Sequence, residues 1–157
     1  MSASSMFRKS APAQISRAAT GGRVNRGKPV SFTFDGRVRQ GYEGDTLASA
    51  LLANNIHLVG RSFKYHRPRG IIAAGSEEPN ALVRVGRGAK AEPNLRATQV
   101  ELHDGLFAES QNRFPSLKFD IGAVNSALQA FFPAGFYYKT FMWPASMWMT
   151  YEHVIRH

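Results

Sequence analysis

From Val30 the chain alternates apolar and polar positions as a half-buried strand does. Val30, Phe32 and Phe34 share one face, and Ser31 and Thr33 share the other. Asp35-Gly36 then supplies a turn, and Val38 and Tyr42 recur on the return strand. Parity bears on the kind of turn. A two-residue Asp35-Gly36 loop pairs Phe34 with Arg37 and puts arginines on the aromatic face. A three-residue loop, Phe34-Asp35-Gly36, with Gly36 left-handed at a bulge, pairs Phe32 with Val38 instead. The pattern therefore predicts the bulged turn. Next, Gly44-Asp45-Thr46 opens a helix, with Asp45 as the N-cap acceptor and Leu47, Ala50 and Leu51 as the apolar face; Asn54-Asn55 ends it. A basic loop over residues 60–70 and a Gly/Glu/Pro/Asn connection over 75–80 lead to two more alternating runs. In one, Ala81, Val83 and Val85 recur; in the other, Thr98, Val100 and Leu102 alternate with Gln99 and Glu101 before His103-Asp104-Gly105 turns the chain. Two strands, a helix across them and two later strands predict an α+β fold, a β-grasp: a small mixed sheet with one packed helix.

Both ends differ from this middle. Residues 1–29 contain no Asp or Glu but carry Arg8, Lys9, Arg17, Arg23, Arg26 and Lys28. An organelle transit peptide has that composition, and so does a mobile basic arm that does not pack; the second is the reading adopted. From Phe119 the chain turns aromatic, with Phe131, Phe132, Phe136, Tyr137, Tyr138, Phe141, Trp143, Trp148 and Tyr151, and between Asp120 and Glu152 the only charge is Lys139. Ile121–Tyr138 approaches the length of a membrane span. Asn125, Ser126 and Gln129 nevertheless fall off the Ile121, Val124, Leu128, Phe131, Phe132 face, and Pro133 and Pro144 interrupt the stretch, so a helical, amphipathic tail is expected and no membrane insertion. Nine aromatics bury on the order of 1,300 Å², the scale of a protein–protein interface. Phe136, Tyr137, Tyr138, Phe141, Trp143 and Trp148 are thus candidate docking side chains for a following domain or subunit. The domain organisation expected is an arm over 1–29, a β-grasp domain over 30–112 and the aromatic extension over 113–157.

At 157 residues there is room for one ordinary domain. The net charge of +9 raises affinity for polyanions without choosing among nucleic acid, phosphorylated cofactors or an acidic protein. The cysteine count of zero excludes more: no disulfide scaffold, zinc ribbon, thiolate-held iron–sulfur cluster or cysteine nucleophile can be built from this chain. With no disulfides and no secretory signal pattern, a cytoplasmic location is expected.

The densest chemical feature is Arg61-Ser62-Phe63-Lys64-Tyr65-His66-Arg67-Pro68-Arg69-Gly70. Arg61, Lys64, His66, Arg67 and Arg69 form a candidate interaction loop, suited to a phosphate or carboxylate, or to single-stranded nucleic acid through the interleaved Phe63 and Tyr65. The favoured reading is structural, a loop clamping acidic groups of a partner or of this domain, such as Glu77 and Glu78. Gly86-Arg87-Gly88 lacks the third glycine and the helix of a dinucleotide fingerprint, Ala91 standing at that position. His153 and His157 have helical ligand spacing but no third ligand in view, and His57, His66 and His103 have no serine or carboxylate partner in the pattern. No catalytic, cofactor-binding or metal-binding set is assembled from this chain.

Several blocks resemble a known family. Ser31–Arg37 (SFTFDGR), Gly44–Asn54 (GDTLASALLAN), Gly60–Gly70 (GRSFKYHRPRG), Glu77–Val83 (EEPNALV) and Pro133–Pro144 (PAGFYYKTFMWP) are similar to the start of the heterotetrameric sarcosine oxidase alpha subunit. The resemblance implies a β-grasp domain related to plant-type [2Fe–2S] ferredoxins, followed in the parent subunit by an NAD-holding domain and a folate-binding region. The parent complex would oxidatively demethylate N-methylglycine with FAD and FMN and pass the one-carbon unit to tetrahydrofolate. The partners implied are the rest of the alpha subunit and the other subunits, with no membrane and no nucleic acid. Modules of related opine or proline dehydrogenases and of cyanide synthases are the nearest alternative, and a basic nucleic-acid-binding module is the alternative of another class. The family's cluster loop would follow the helix, where Arg61–Gly70 stands with no cysteine, so the domain is expected to be a ferredoxin scaffold kept for packing. The sequence stops at His157 before any glycine-rich nucleotide loop, and the reading is therefore a fragment or a split alpha subunit.

Overall fold

A computed structural model describes residues 14–127 and Met147. The candidate docking residues Phe136, Tyr137, Tyr138, Phe141, Trp143 and Trp148 lie outside the described residues, as do positions 1–13 of the basic arm. In chain order the elements are β1 (Asn25–Phe34), β2 (Arg37–Glu43), α1 (Leu47–Ala53), β3 (Gly60–Arg61), β4 (Pro68–Arg69), β5 (Leu82–Val85), β6 (Glu92–Arg96), β7 (Leu106–Ser110) and α2 (Val124–Ala127). Five strands form one mixed sheet in the order β2-β1-β7-β5-β6, while β3 and β4 make a separate two-stranded hairpin. β1 and β7 run parallel and every other neighbouring pair is antiparallel. With α1 laid on one face, this is the expected β-grasp.

The inward faces of the strands and the helix supply a single core. Phe32, Phe34, Leu47, Leu51, Val59, Val83, Leu102 and Leu106 are buried together, with Ala48, Ala50, Ala81 and Ala108 filling the narrow places. Gly41 is one of those places. A Cβ there would collide with Leu102 and crowd Ala50 and Asp45, so the absence of a side chain is what lets β2 pass beneath α1.

The turn between β1 and β2 differs from the expectation. Phe34 faces Arg37 and Phe32 faces Arg39, which is the two-residue loop. Asp35 and Gly36 both have positive φ, 48° and 72°, as a type I′ turn requires. Parity does place arginines on the aromatic face. Arg37 is exposed and Arg39 half-buried, both toward the turn, while Gly41 occupies the stretch under the helix. The turn is anchored on β7, since the Asp35 carboxylate accepts from the Ser110 amide at 2.8 Å and from Arg113 Nη2 at 3.1 Å.

Helix α1 is capped by Thr46, not Asp45. Thr46 and Ser49 form a reciprocal capping box, Ser49 N donating to Thr46 Oγ1 at 3.2 Å and Thr46 N to Ser49 Oγ at 3.0 Å. Asp45 is buried beside it, where its carboxylate accepts from Tyr42 N at 2.9 Å, Ser49 Oγ at 2.7 Å and Arg17 Nη2 at 2.6 Å. A buried carboxylate calls for a counter-charge, and Arg17 comes from the segment expected to be an unpacked arm. That segment is docked here: Arg17 also lies over the Tyr42 ring, and Gln14 bonds the Gln40 carbonyl. The sheet likewise begins at Asn25, five residues before Val30.

The segment 97–102 is not a strand. Its backbone is spent on the helix start, with Leu47 N donating to Val100 O and Ala48 N to Ala97 O, while Leu102 N donates to Asp45 O. These bonds satisfy helix donors that lack intrahelical partners. The strand beside β5 is β6, slightly earlier in the chain, with a bulge where Asn94 takes φ 61°. The sequence pattern did not mark β7, although it sits centrally between β1 and β5.

Gly41→Ala is expected to destabilise the domain by about 1–3 kcal/mol, because the added methyl overpacks the α1 contact. Chemical denaturation of the two chains measures it.

Candidate functional site

The basic segment folds as the β3–β4 hairpin, closed at its tip by Ser62 N to Arg67 O and His66 N to Ser62 O, both 2.9 Å. His66 takes φ 51° at the turn. Its acid partner is neither Glu77 nor Glu78 but Asp120, a fully buried carboxylate 54 residues onward. His66 Nδ1 meets Asp120 Oδ2 at 2.7 Å, and Arg61 Nε lies 3.4 Å from the same oxygen. The other oxygen accepts from the amides of Phe114 at 2.9 Å and Gly122 at 3.2 Å. Arg61 completes the clamp by donating to the Leu117 carbonyl at 3.0 Å and to its own hairpin at His66 O, 2.7 Å. A Cβ on Gly122 would run into the His66 ring, so glycine is what lets the two segments close. Residues 113–122, expected to begin a separate extension, are therefore fastened to the β-grasp unit.

The other cations of the loop are also engaged. Lys64 Nζ and the Arg67 guanidinium lie 5.1 and 5.0 Å from the Tyr65 ring centroid. Arg69 donates to the Asn80 side chain. Arg61, Lys64, His66, Arg67 and Arg69 thus share one hairpin, and Arg61 and His66 converge on the Asp120 carboxylate. Among the described residues no three His, Asp or Glu side chains come together as a metal site.

A second constellation adjoins the hairpin through Asn80. The Glu78 side chain is wholly buried. One of its oxygens accepts from the amides of Ile72 at 2.8 Å and Ala73 at 2.6 Å, and the other from those of Asn80 at 2.7 Å and Ala81 at 3.1 Å. Burial pushes this carboxyl up, yet the four amides outweigh burial and hold it below the ordinary carboxylate range. The segment 72–81 is therefore wound around one anionic group. Arg96 Nε from β6 holds the Glu78 carbonyl at 3.1 Å, and Thr98 Oγ1 donates to the Gly75 carbonyl at 2.7 Å. The sequence pattern left Glu78 and Thr98 without this role; an acid held by backbone amides has no charge-pairing signature to read.

With this geometry established, comparison with known proteins gives a consistent result. The model of the 2Fe-2S iron-sulfur cluster binding domain matches residues 27–113. Sarcosine oxidase subunit alpha of Rhizobium meliloti (strain 1021) is 71% identical over 136 residues, which is 86% of this chain and 14% of that protein. The namesake subunit of Corynebacterium sp. (strain U-96) is 47% identical over 103 residues, 63% of this chain and 11% of that protein. The chain thus spans about a seventh or less of the length of these relatives. Among solved structures, L-proline dehydrogenase from P. horikoshii is similar at 31% identity and a TM-score of 0.46, over 57% of this chain and 17% of that one.

Asp120→Ala removes one acceptor from two cationic side chains and two amides at once, and a loss of about 3 kcal/mol of unfolding free energy is expected. Urea denaturation checks it. A change within about 0.5 kcal/mol would mean that the clamp holds nothing.

Proposed function

The chain belongs to the 2Fe-2S iron-sulfur cluster binding domain family, and from that membership we propose that it is the N-terminal, non-catalytic β-grasp module of the alpha subunit of a sarcosine-oxidising flavoenzyme. The observation that carries this reading is the 71% identity with the Rhizobium meliloti subunit across most of the chain. In the proposal the complex works in the cytoplasm and oxidatively demethylates N-methylglycine. FAD, FMN, NAD and tetrahydrofolate are held by the remainder of the alpha subunit and by the other subunits. This module contributes a surface and no reacting group.

Two features support a packing role. The cations of the basic hairpin are engaged within the domain, Arg61 by Asp120 and Arg69 by Asn80, which argues against a nucleic-acid groove lined by them. The segment fastened to the hairpin exposes Phe114, Phe119, Ile121 and Val124, each more than half accessible. Exposed apolar side chains of that kind suit docking against the next part of the subunit. No helix among the described residues is long and apolar enough to cross a membrane.

Two measurements test the reading. The purified chain mixed with FAD, FMN, NAD and sarcosine is expected to give no turnover, and an affinity-tagged chain expressed in its own host is expected to bring down flavin-carrying subunits. Turnover by the chain alone, or its recovery without any flavoprotein, overturns the proposal.

A further inference from the structure

Plant-type [2Fe–2S] clusters are held by cysteines spaced C-x4-C-x2-C, with a fourth further along the chain. In this chain that spacing selects Ala73, Glu78 and Ala81. In that register Ala73 and Ala81 are two of the residues whose amides point at the Glu78 carboxylate. The Arg61–Gly70 segment, expected to stand where the cluster loop would, is instead the preceding hairpin. The fourth position also has an occupant. Thr98 is buried, its hydroxyl donates to Gly75 within the loop, and its neighbour Ala97 donates from its amide to the Ala81 carbonyl at 2.9 Å. In this register two methyl groups, a carboxylate and a hydroxyl stand at the four cluster positions. These residues do not fit an iron–sulfur cluster, since none of them is a thiolate.

We propose that the Glu78 carboxylate replaces the cluster: it sits inside the loop as an anion and collects the amide donors that would otherwise surround a metal-bound group. A cluster is an anionic centre tuned by N–H donors around its sulfurs, and a carboxylate presents two acceptor oxygens to the same kind of donor. The replacement fixes the loop without metal loading and leaves the domain unable to accept an electron there. It rests on the family membership and the loop geometry, and it stands whether or not the parent enzyme oxidises sarcosine.

The sign of its pH dependence follows from the lowered folded-state value of Glu78. The carboxylate contributes stability above the unfolded value of about 4.3, and that contribution is lost as pH falls through the lower folded value. The charged groups around it are Glu77 beside it in the chain, Arg96 on its main-chain carbonyl, and Arg69 through Asn80.

Two variants of the full chain test the proposal. Glu78→Gln keeps the shape but turns one acceptor into a donor facing amides. Its melting temperature at pH 7 is expected to fall by about 5–10 °C, with the gap from the unmodified chain narrowing toward pH 3. An unchanged melting temperature at pH 7 overturns the proposal. The second variant carries Ala73→Cys, Glu78→Cys, Ala81→Cys and Thr98→Cys, and is treated anaerobically with ferrous iron and sulfide. It is expected to bind about two irons and two sulfides per chain and to gain visible charge-transfer absorption. A folded four-cysteine chain that takes up no iron overturns the assignment of the four positions. Should that chain not fold, the Glu78→Gln shift alone decides.

Discussion

A carboxylate removed from water must be met by donors, and the loop between the β3–β4 hairpin and β5 is organised by that requirement at Glu78. Four loop amides, those of Ile72, Ala73, Asn80 and Ala81, have no sheet partner there; the two carboxylate oxygens collect them, and the loop acquires a fixed shape without a regular element. The same device recurs twice. Asp45 gathers the Tyr42 amide, the Ser49 hydroxyl and Arg17 at the start of α1. Asp120 gathers two amides, His66 and Arg61 where the chain leaves the sheet. In a chain with 20 basic and only 11 acidic residues, three of the scarce acids are spent inside as organisers of backbone.

That economy explains what the sequence made legible. β1, α1 and β5 carry clean periodicity because each shows one face to the core, and the β-grasp follows from them. The Asp35-Gly36 turn departs from the parity expectation because the fold tolerates Arg37 and Arg39 opposite Phe34 and Phe32. In the fold the helix lies over the Gly41 end of β2, and toward the turn Arg37 is exposed and Arg39 half-buried. Residues 97–102 alternate like a strand, but their carbonyls face the N-terminus of α1, a demand no local pattern reveals. β7 lacks a clear apolar alternation because, of its inward positions, Ala108 is small and Ser110 polar, leaving Leu106 alone to mark the face.

The candidate site was half legible. The density of cations in 61–69 marks a clamp, and the structure makes one with Arg61 and His66. Its acid lies 54 residues away from His66, a separation at which spacing carries no information. Glu78 was visible as a possible partner for those cations, whereas its actual partners are amides, which every residue except proline carries and which no sequence motif advertises. Membership in a cluster-binding family gives the missing signal, because it tells which positions to inspect once the cysteines are gone.

The fold, the three carboxylate centres and the family membership together describe a cluster-family domain, without cysteine, whose loop is organised by a buried carboxylate. Amide hydrogen exchange at Ile72, Ala73, Asn80 and Ala81 tests this most directly. These four amides lie outside any strand interior, yet bonding to a buried carboxylate gives them exchange as slow as that of the core strand amides of Val83 and Ala108. Exchange at the rate of open loop amides, with the sheet intact, would contradict the account.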